Sequence, residues 1–210
     1  MRLEPAPRSN GNVTRGKILD AAEALFGARG FDAVSLRDIT VRAGVTLALA
    51  SYHYGTKEQL FSAVIERRAE ILCDMRRARL HALGPMPDVE ALLDAFMGPL
   101  FDQVRKDADG WPMYVRVLTR LGEDDRWSAL LAAHFDPVAQ EFIEALERAL
   151  PAVDRRALRR AFIMSLQLML ETLARRRRLD ELTGGSISGD EIDEAYPVLL
   201  RFVSGGMNAL

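Results

Sequence analysis

Residues 35–57 read SLRDITVRAGVTLALASYHYGTK, and the fold turns on this stretch. Ser35 is a favourable helix N-cap, because its hydroxyl can accept from an amide one turn further on. Leu36, Ile39 and Ala43 follow at helical spacing and share one face. Gly44 ends that run and supplies the permissive backbone that a sharp turn needs. Val45 leads into another short helix, roughly Thr46 to His53, and Gly55-Thr56 breaks the chain again. Two short helices joined by a tight glycine-containing turn have the geometry of a helix-turn-helix. In the second of them Val45, Leu49 and Ala50 can turn inward. That leaves Leu47, Ala48, Ser51 and Tyr52, two i, i+4 pairs, on the outer face. Their mostly small side chains suit close approach to the floor of a DNA major groove.

Upstream, Ile18, Ala21, Ala22, Leu25 and Phe26 make one apolar stripe, which predicts a first helix from Thr14, as N-cap, to Arg29, stopped by Gly30. Residues 1–13 read as a short flexible arm carrying Arg2 and Arg8. Downstream, Thr56 caps a long fourth helix to about Leu80, with Leu60, Val64, Ile65, Ala69, Leu72 and Met75 along it. Gly84-Pro85-Met86-Pro87 is the clearest break in the chain, since two prolines in so short a span cannot sit inside one helix. Asp88 caps a helix from Val89 to Lys106, kinked at Pro99. Further helices are predicted over Trp111–Leu121, over Asp125–Leu150 with a bend at Pro137, and over Asp154–Arg177 after Pro151. Beyond the glycines at 184, 185 and 189, Ser188 with Glu191 forms a capping-box pattern that opens a last helix to about Val203. Period-2 alternation never persists, and no internal repeat is visible. The expected fold is all-α: an N-terminal three-helix helix-turn-helix domain over 14–60, joined by a long helix to a second helical domain over 61–210.

Composition bounds the function. Apolar residues make up 49% of the 210 and charged residues 28%, enough to build a core. The net charge of −2 excludes a uniformly basic nucleic-acid binder but not a locally basic one. The single cysteine, Cys73, leaves no disulfide framework and no cysteine-based zinc site within one chain, and points to a reducing, cytoplasmic setting. Every apolar run is broken by charge within about 18 residues, so no membrane partner is expected. The first residues lack the apolar stretch of a signal peptide. There is no GxSxG, GxGxxG, Walker loop or HExxH, and His53, His81 and His134 do not stand at metal-ligand spacing. Catalysis, metal and cofactor are therefore unsupported. A helical carrier of small molecules without DNA-binding activity is the competing non-enzymatic reading.

The segment from Ala21 to Lys57 resembles the N-terminal domain of the TetR family of transcriptional regulators. The matching residues are Ala21-Ala22-Glu23-Ala24-Leu25-Phe26, Gly30-Phe31, Ser35, Ile39-Thr40, Ala43-Gly44-Val45-Thr46, Ser51-Tyr52-His53-Tyr54 and Lys57. Ser51 stands where the family commonly has Tyr, and the aromatic falls at Tyr52. In this it resembles a subgroup that includes fatty-acid-responsive regulators. The resemblance implies a homodimeric regulator, most simply a repressor, that holds palindromic operator DNA and releases it when a small apolar effector binds. The effector would be a fatty acid, an acyl thioester or an aromatic compound.

Residue roles follow. Ser35 and Thr56 sit at helix starts, whose amides favour phosphates, and Lys57 adds a full charge there. Tyr52 and His53 are phosphate contacts by resemblance; His53 has a second reading, a half-buried imidazole packing two helices together. Arg37 occupies a position that reads a base in some relatives, by a bidentate contact to guanine. Leu47 and Ala48 would meet thymine methyls, and Thr46 and Ser51 contribute hydroxyls. Thr14, at the expected start of the first helix, completes the DNA-contacting set. Tyr54 is expected in the core and Cys73 as a small apolar filler.

The resemblance also implies that the second domain binds ligand and dimerises through its last two helices, which would form a four-helix bundle with their mates. Phe162, Ser165, Leu166, Met169, Leu170 and Leu173 on one helix, and Ile192, Ala195, Leu199, Phe202 and Val203 on the other, are the expected contact surface. Candidates for the effector pocket wall are Phe96, Leu100, Val104, Trp111, Met113, Tyr114, Val117, Leu118, Leu121, Phe135, Phe162 and Met169. An apolar lining with a few polar groups is what such sites look like, although the same spacing also describes plain core. Arg116, Arg120 and His134 are candidates for an anionic head group. The run Arg175–Arg178 is read as solvated and favoured by a helix C-terminus.

Overall fold

The computed structural model describes residues 10–106, 110–122, 124–174 and 176–210. The arm carrying Arg2 and Arg8 lies outside the described residues, as does Arg175. Among the described residues the chain is helical and has no strand. It divides into two compact units, the first ending at Arg67 and the second running Arg68–Leu210.

In the first unit, α1 (Asn10–Arg29) packs against α2 (Leu36–Ala43) and α3 (Leu47–Tyr54), and the opening turns of α4 (Lys57–Ala82) complete the core. Ile18, Ala21, Ala22 and Phe26 are buried along α1 as its stripe predicts, and Leu60, Phe61, Val64 and Ile65 along α4. Phe61 meets the rings of both Phe26 and Phe31 edge-on, at 5.0 Å in each case. α1 begins earlier than expected, so Thr14 lies inside it and is not its cap. Asn10, Asn12 and Thr14 are all capping residue types, and composition alone does not choose among them.

The helix-turn-helix itself closes through local bonds. The Ser35 hydroxyl accepts from the Asp38 amide at 3.1 Å, and the Ser35 amide donates to Asp38 Oδ2 at 2.8 Å, a capping box. Gly44 holds the left-handed φ of +66° at the turn, where a side chain would be strained. Thr46 Oγ1 accepts from the Leu49 amide and caps α3. Thr56 and Gln59 form a reciprocal pair at the start of α4, at 2.9 and 3.2 Å.

The second unit receives the rest of α4. Ala69, Leu72 and Cys73 are buried there. The Gly84–Pro87 break separates α4 from α5 (Val89–Arg105) inside this unit. Asp88 caps α5 by accepting from the Ala91 amide at 2.7 Å. α5 is the most deeply buried helix: Leu92, Leu93, Phe96, Met97, Leu100, Phe101 and Val104 are all in the core, and Pro99 is accommodated within it. α6 (Trp111–Leu121) is as expected. The next helix has two parts, a 3-10 turn over Asp125–Trp127 followed by α7 (Ser128–Ala149), with Pro137 inside the latter.

The stretch predicted as a helix over Asp154–Arg177 is helical over Arg155–Ala174 (α8) and again over Arg176–Leu182 (α9), which carries Arg177 and Arg178. One further expectation is revised. The last helix, α10, runs Ile192–Asn208, with Ser188 outside it. The Ser188 amide still donates to Glu191 Oε1 at 3.3 Å, but the Ser188 hydroxyl accepts from Asp190, so the capping-box pattern closes a turn ahead of the helix. α5 packs on α10, α6 and α7, and α8 on α6, α7 and α10.

Candidate nucleic-acid interface and effector core

The outer face of α3 is as the spacing predicts. Leu47 is 51% exposed and Tyr52 83%, Ala48 and Ser51 are exposed between them, and Ala50 and Tyr54 on the other side are buried. Two contacts fix that orientation. The Tyr54 hydroxyl donates to the Arg15 carbonyl at 3.1 Å, and the Arg15 guanidinium sits 5.5 Å from the Tyr54 ring. An apolar, strongly exposed Leu47 beside small neighbours is an unpartnered surface. His53 is half-buried, with its ring 5.2 Å from that of Tyr52. Ser35, Arg37, Thr46 and Thr56 are exposed. Val41, one turn beyond Arg37 on α2, is also exposed and enlarges this surface. It could have been found as the residue left off the inward face of Leu36, Ile39 and Ala43.

Lys57 is placed differently. Its ammonium donates to the carbonyls of Phe31 and Val34, at 3.1 and 3.0 Å, and lies 4.0 Å from the centre of the Phe31 ring. It therefore ties down the connection between α1 and α2, with two of its three N–H donors committed. Phosphate contact is left to the remaining donor. Thr14 is half-buried within α1, where its hydroxyl no longer marks a helix start.

In the second unit, Phe96, Leu100, Val104, Trp111, Tyr114, Val117, Leu118, Leu121, Phe162 and Met169 are all buried, and Phe135 and Met113 are half-buried. Phe96 is central: its ring lies edge-on to Phe142 at 5.0 Å and to Phe162 at 5.1 Å. Among the described residues, a cleft of about 690 Å³ is lined by residues from Leu80 to Pro87 and from Glu141 to Pro151, and a smaller one by Val104, Arg105 and Asp190–Glu194. Of the expected pocket wall only Val104 lines either. The head-group candidates are also revised, because Arg116 and Arg120 are exposed on the outer side of α6. On an amphipathic helix, charges between the apolar stripes face water. His134 is half-buried, and its carbonyl accepts from the Cys73 thiol at 3.4 Å. Burial pushes that thiol's pKa up, which suits the filler role expected of it.

The buried cations come from α4 instead. Arg68 lies 4.9 Å from the Trp111 ring and 6.0 Å from Tyr114; Arg76 donates from Nε to the Phe96 carbonyl at 2.9 Å. Neither was visible as a site residue in the sequence, because α4 is rich in arginine and nothing local distinguishes these two.

The residues expected on the dimerisation surface divide by burial. Phe162, Ser165, Met169, Leu173, Leu199 and Val203 face the unit's own core, Leu166, Leu170, Ile192 and Ala195 are half-buried, and only Phe202 of the expected surface is exposed. The outer apolar residues are Ile163, Met164 and Leu168 on α8, with Val198 at 58% and Phe202 at 70% exposure on α10.

Residues 18–64 match the family described as bacterial regulatory proteins, tetR family, and residues 94–206 match the tetracyclin repressor-like C-terminal domain. The second match alone covers more than half of the 210 residues. The chain belongs to the TetR family. Among curated relatives it is 38% identical over 96 residues to the HTH-type transcriptional repressor Rv3405c of Mycobacterium tuberculosis, covering 46% of this chain and 47% of that one. It is 32% identical over 97 residues to the HTH-type transcriptional activator FasR of Mycolicibacterium smegmatis, covering 46% and 43%. The chain thus spans about half the length of the curated TetR relatives it matches. The crystal structure of a TetR-like transcriptional regulator from Rhodococcus sp. RHA1 shares the fold, with a TM-score of 0.66 at 20% identity over 98% of this chain and 100% of that one.

Proposed function

We propose that this TetR-family chain is a ligand-responsive transcriptional regulator, a repressor that grips palindromic operator DNA as a homodimer in the cytoplasm and releases it when a small apolar effector enters the second unit. The observation that carries the reading is the outward face of α3, with Leu47, Ala48, Ser51 and Tyr52 in solvent and the opposite side in the core. Such a rod enters a major groove without displacing anything from the protein's own interior. The starts of α2 and α4, at Ser35 and Thr56, approach phosphates, Arg37 reads a base, and Tyr52 and His53 add backbone contacts. The mode of action is binding rather than catalysis. No helix among the described residues is long and apolar enough to cross a membrane.

Dimerisation is assigned to the outer residues Ile163, Met164, Leu168, Val198 and Phe202, whose apolar surface otherwise faces water. A palindromic operator requires two α3 helices about 35 Å apart. An effector releases DNA only by binding better to a conformation in which that spacing is lost. A displacement of α4, whose residues belong to both units, is the device proposed. The buried aromatic residues Phe96, Trp111, Tyr114 and Phe162 are proposed to line the effector site.

The test is retardation of DNA from upstream of the chain's own gene. Sequence-specific, salt-sensitive retardation supports the regulator; equal binding to random DNA, or none, removes it. Phe202→Glu is expected to yield a folded monomer by sedimentation, with operator affinity lost together with dimerisation.

A further inference from the structure

α4 carries several arginines, and their partners differ. Arg67 pairs with Asp20 at 2.6 Å and Glu23 at 3.0 Å. Arg77 pairs with Glu141 at 2.8 Å, and Arg79 with Asp94 and Asp102. Arg76 is only 3% exposed, yet no carboxylate among the described residues pairs with it. Its Nε is committed to the Phe96 carbonyl, and one face of the guanidinium lies 3.8 Å from the centre of the Phe96 ring. Its two terminal nitrogens make no hydrogen bond among the described residues. The groups that feel its charge are the Cys73 thiol, whose pKa burial pushes up, and the Tyr114 phenol, and neither is a carboxylate.

Burial of a cation without a counter-charge is costly, and proteins rarely retain one for stability. Desolvation draws the Arg76 pKa down to about 10, which still leaves it charged at neutral pH. The guanidinium is already oriented by its Nε bond and by stacking, so its fork of terminal donors is preorganised for a planar, two-oxygen anion. Phe142 and Phe162, packed edge-on against Phe96, supply apolar contact for the rest of such a molecule.

From this we propose that Arg76 is the anchor for the effector's carboxylate, so that the effector is a free carboxylic acid with an apolar body and not a thioester, amide or neutral aromatic. The inference rests on the ligand-responsive reading above and narrows it: an acyl thioester carries no charge at its acyl end, and a neutral ring leaves the cation uncompensated. The exposed Arg116 and Arg120 have no part in it.

Calorimetry on the full chain, without DNA and at neutral pH, decides the point. The probes are octanoate and benzoate against octanamide and benzamide. At least one acid is expected to bind, about ten- to hundred-fold more tightly than its amide. In Arg76→Met the acid should fall to the amide's level, and in Arg76→Lys, which keeps the charge but not the fork, part of the preference should return. The proposal is overturned if neither acid binds, if each acid binds no better than its amide, or if Arg76→Met retains the preference. Should Arg76→Met fail to fold, the acid-against-amide comparison on the unaltered chain decides alone. Operator retardation without any acid is read separately. A chain that binds acid but no operator keeps the site and loses the regulator, whereas one that binds operator but no acid loses only the site.

Discussion

The two units are each held by long-range polar contacts of a different kind. In the first, beside the local caps at Ser35, Thr46 and Thr56, the Tyr54 hydroxyl reaches the Arg15 carbonyl and the Lys57 ammonium reaches those of Phe31 and Val34. In the second, side chains meet side chains across helices. Tyr196 on α10 donates to Asp94 on α5 at 2.6 Å, Arg79 on α4 meets Asp94 and Asp102, and Arg105 pairs with Asp193 at 2.7 Å. Desolvation, then the Asp94 carboxylate, pushes the Tyr196 pKa up, so the phenol remains a donor at any ordinary pH. The contrast teaches that an exposed helix face can be held by a few bonds to the main chain behind it, whereas a many-helix core is locked by side chains that meet across helices.

The largest effect that would break this comparison is expected from Phe26→Ala. Removing the ring that packs on Phe31 and Phe61 should cost about 3–5 kcal/mol. Amide exchange should show the loss of protection concentrated in residues up to Arg67; equal loss in both units would deny that they are separate cores.

A pair of substitutions sharpens the contrast within the first unit. Arg37→Ala should cost about 1–3 kcal/mol on the operator and relax the choice of one base, read by retardation on base-substituted duplexes. Lys57→Met should lower the melting temperature and leave the salt slope of DNA binding nearly unchanged, because its ammonium serves Phe31 and Val34. A drop of one unit in that slope would return Lys57 to the phosphates.

In the second unit, Gly98→Ala is the counterpart. A Cβ there would collide with Arg79 Nη1 and come within 3.0 Å of the Tyr196 hydroxyl, so the cross-helix network must yield. About 1–3 kcal/mol is expected in denaturant titration, with no change in the spectrum of α3 residues. An unaffected melting curve would mean that the network bends freely.

The smallest effects concern the cap of α2. Ser35→Ala should cost about 1 kcal/mol by denaturant titration. The Ser35 amide, and then its hydroxyl, hold the Asp38 carboxyl below its ordinary 3.8. A carboxyl depressed on folding lends stability that is present above the ordinary value and is lost as pH falls through the folded one. Carboxyl NMR titration should find Asp38 below 3.8, rising toward that value in Ser35→Ala. An unshifted Asp38 in the unaltered chain would remove the cap from the account.

The sequence alone carried the first unit nearly whole. The α3 face, the Gly44 turn and the caps at Ser35 and Thr56 each depend on neighbours within a turn or two, so their signals are contiguous. Thr14 as the start of α1 did not follow, since the chain is already helical from Asn10, and neither did the position of Lys57, whose carbonyl partners lie 23 and 26 residues away. In the second unit the helices were legible but not the division of their faces. Leu166 and Leu170 stand in the same apolar run as Ile163 and Met164, and such a run carries no mark of which side meets the chain's own core. Arg76 was one arginine among many. Only when α4, α5 and α6 came together did burial single it out, since the desolvation of a charge is a property of everything around it and is written in no local stretch of chain.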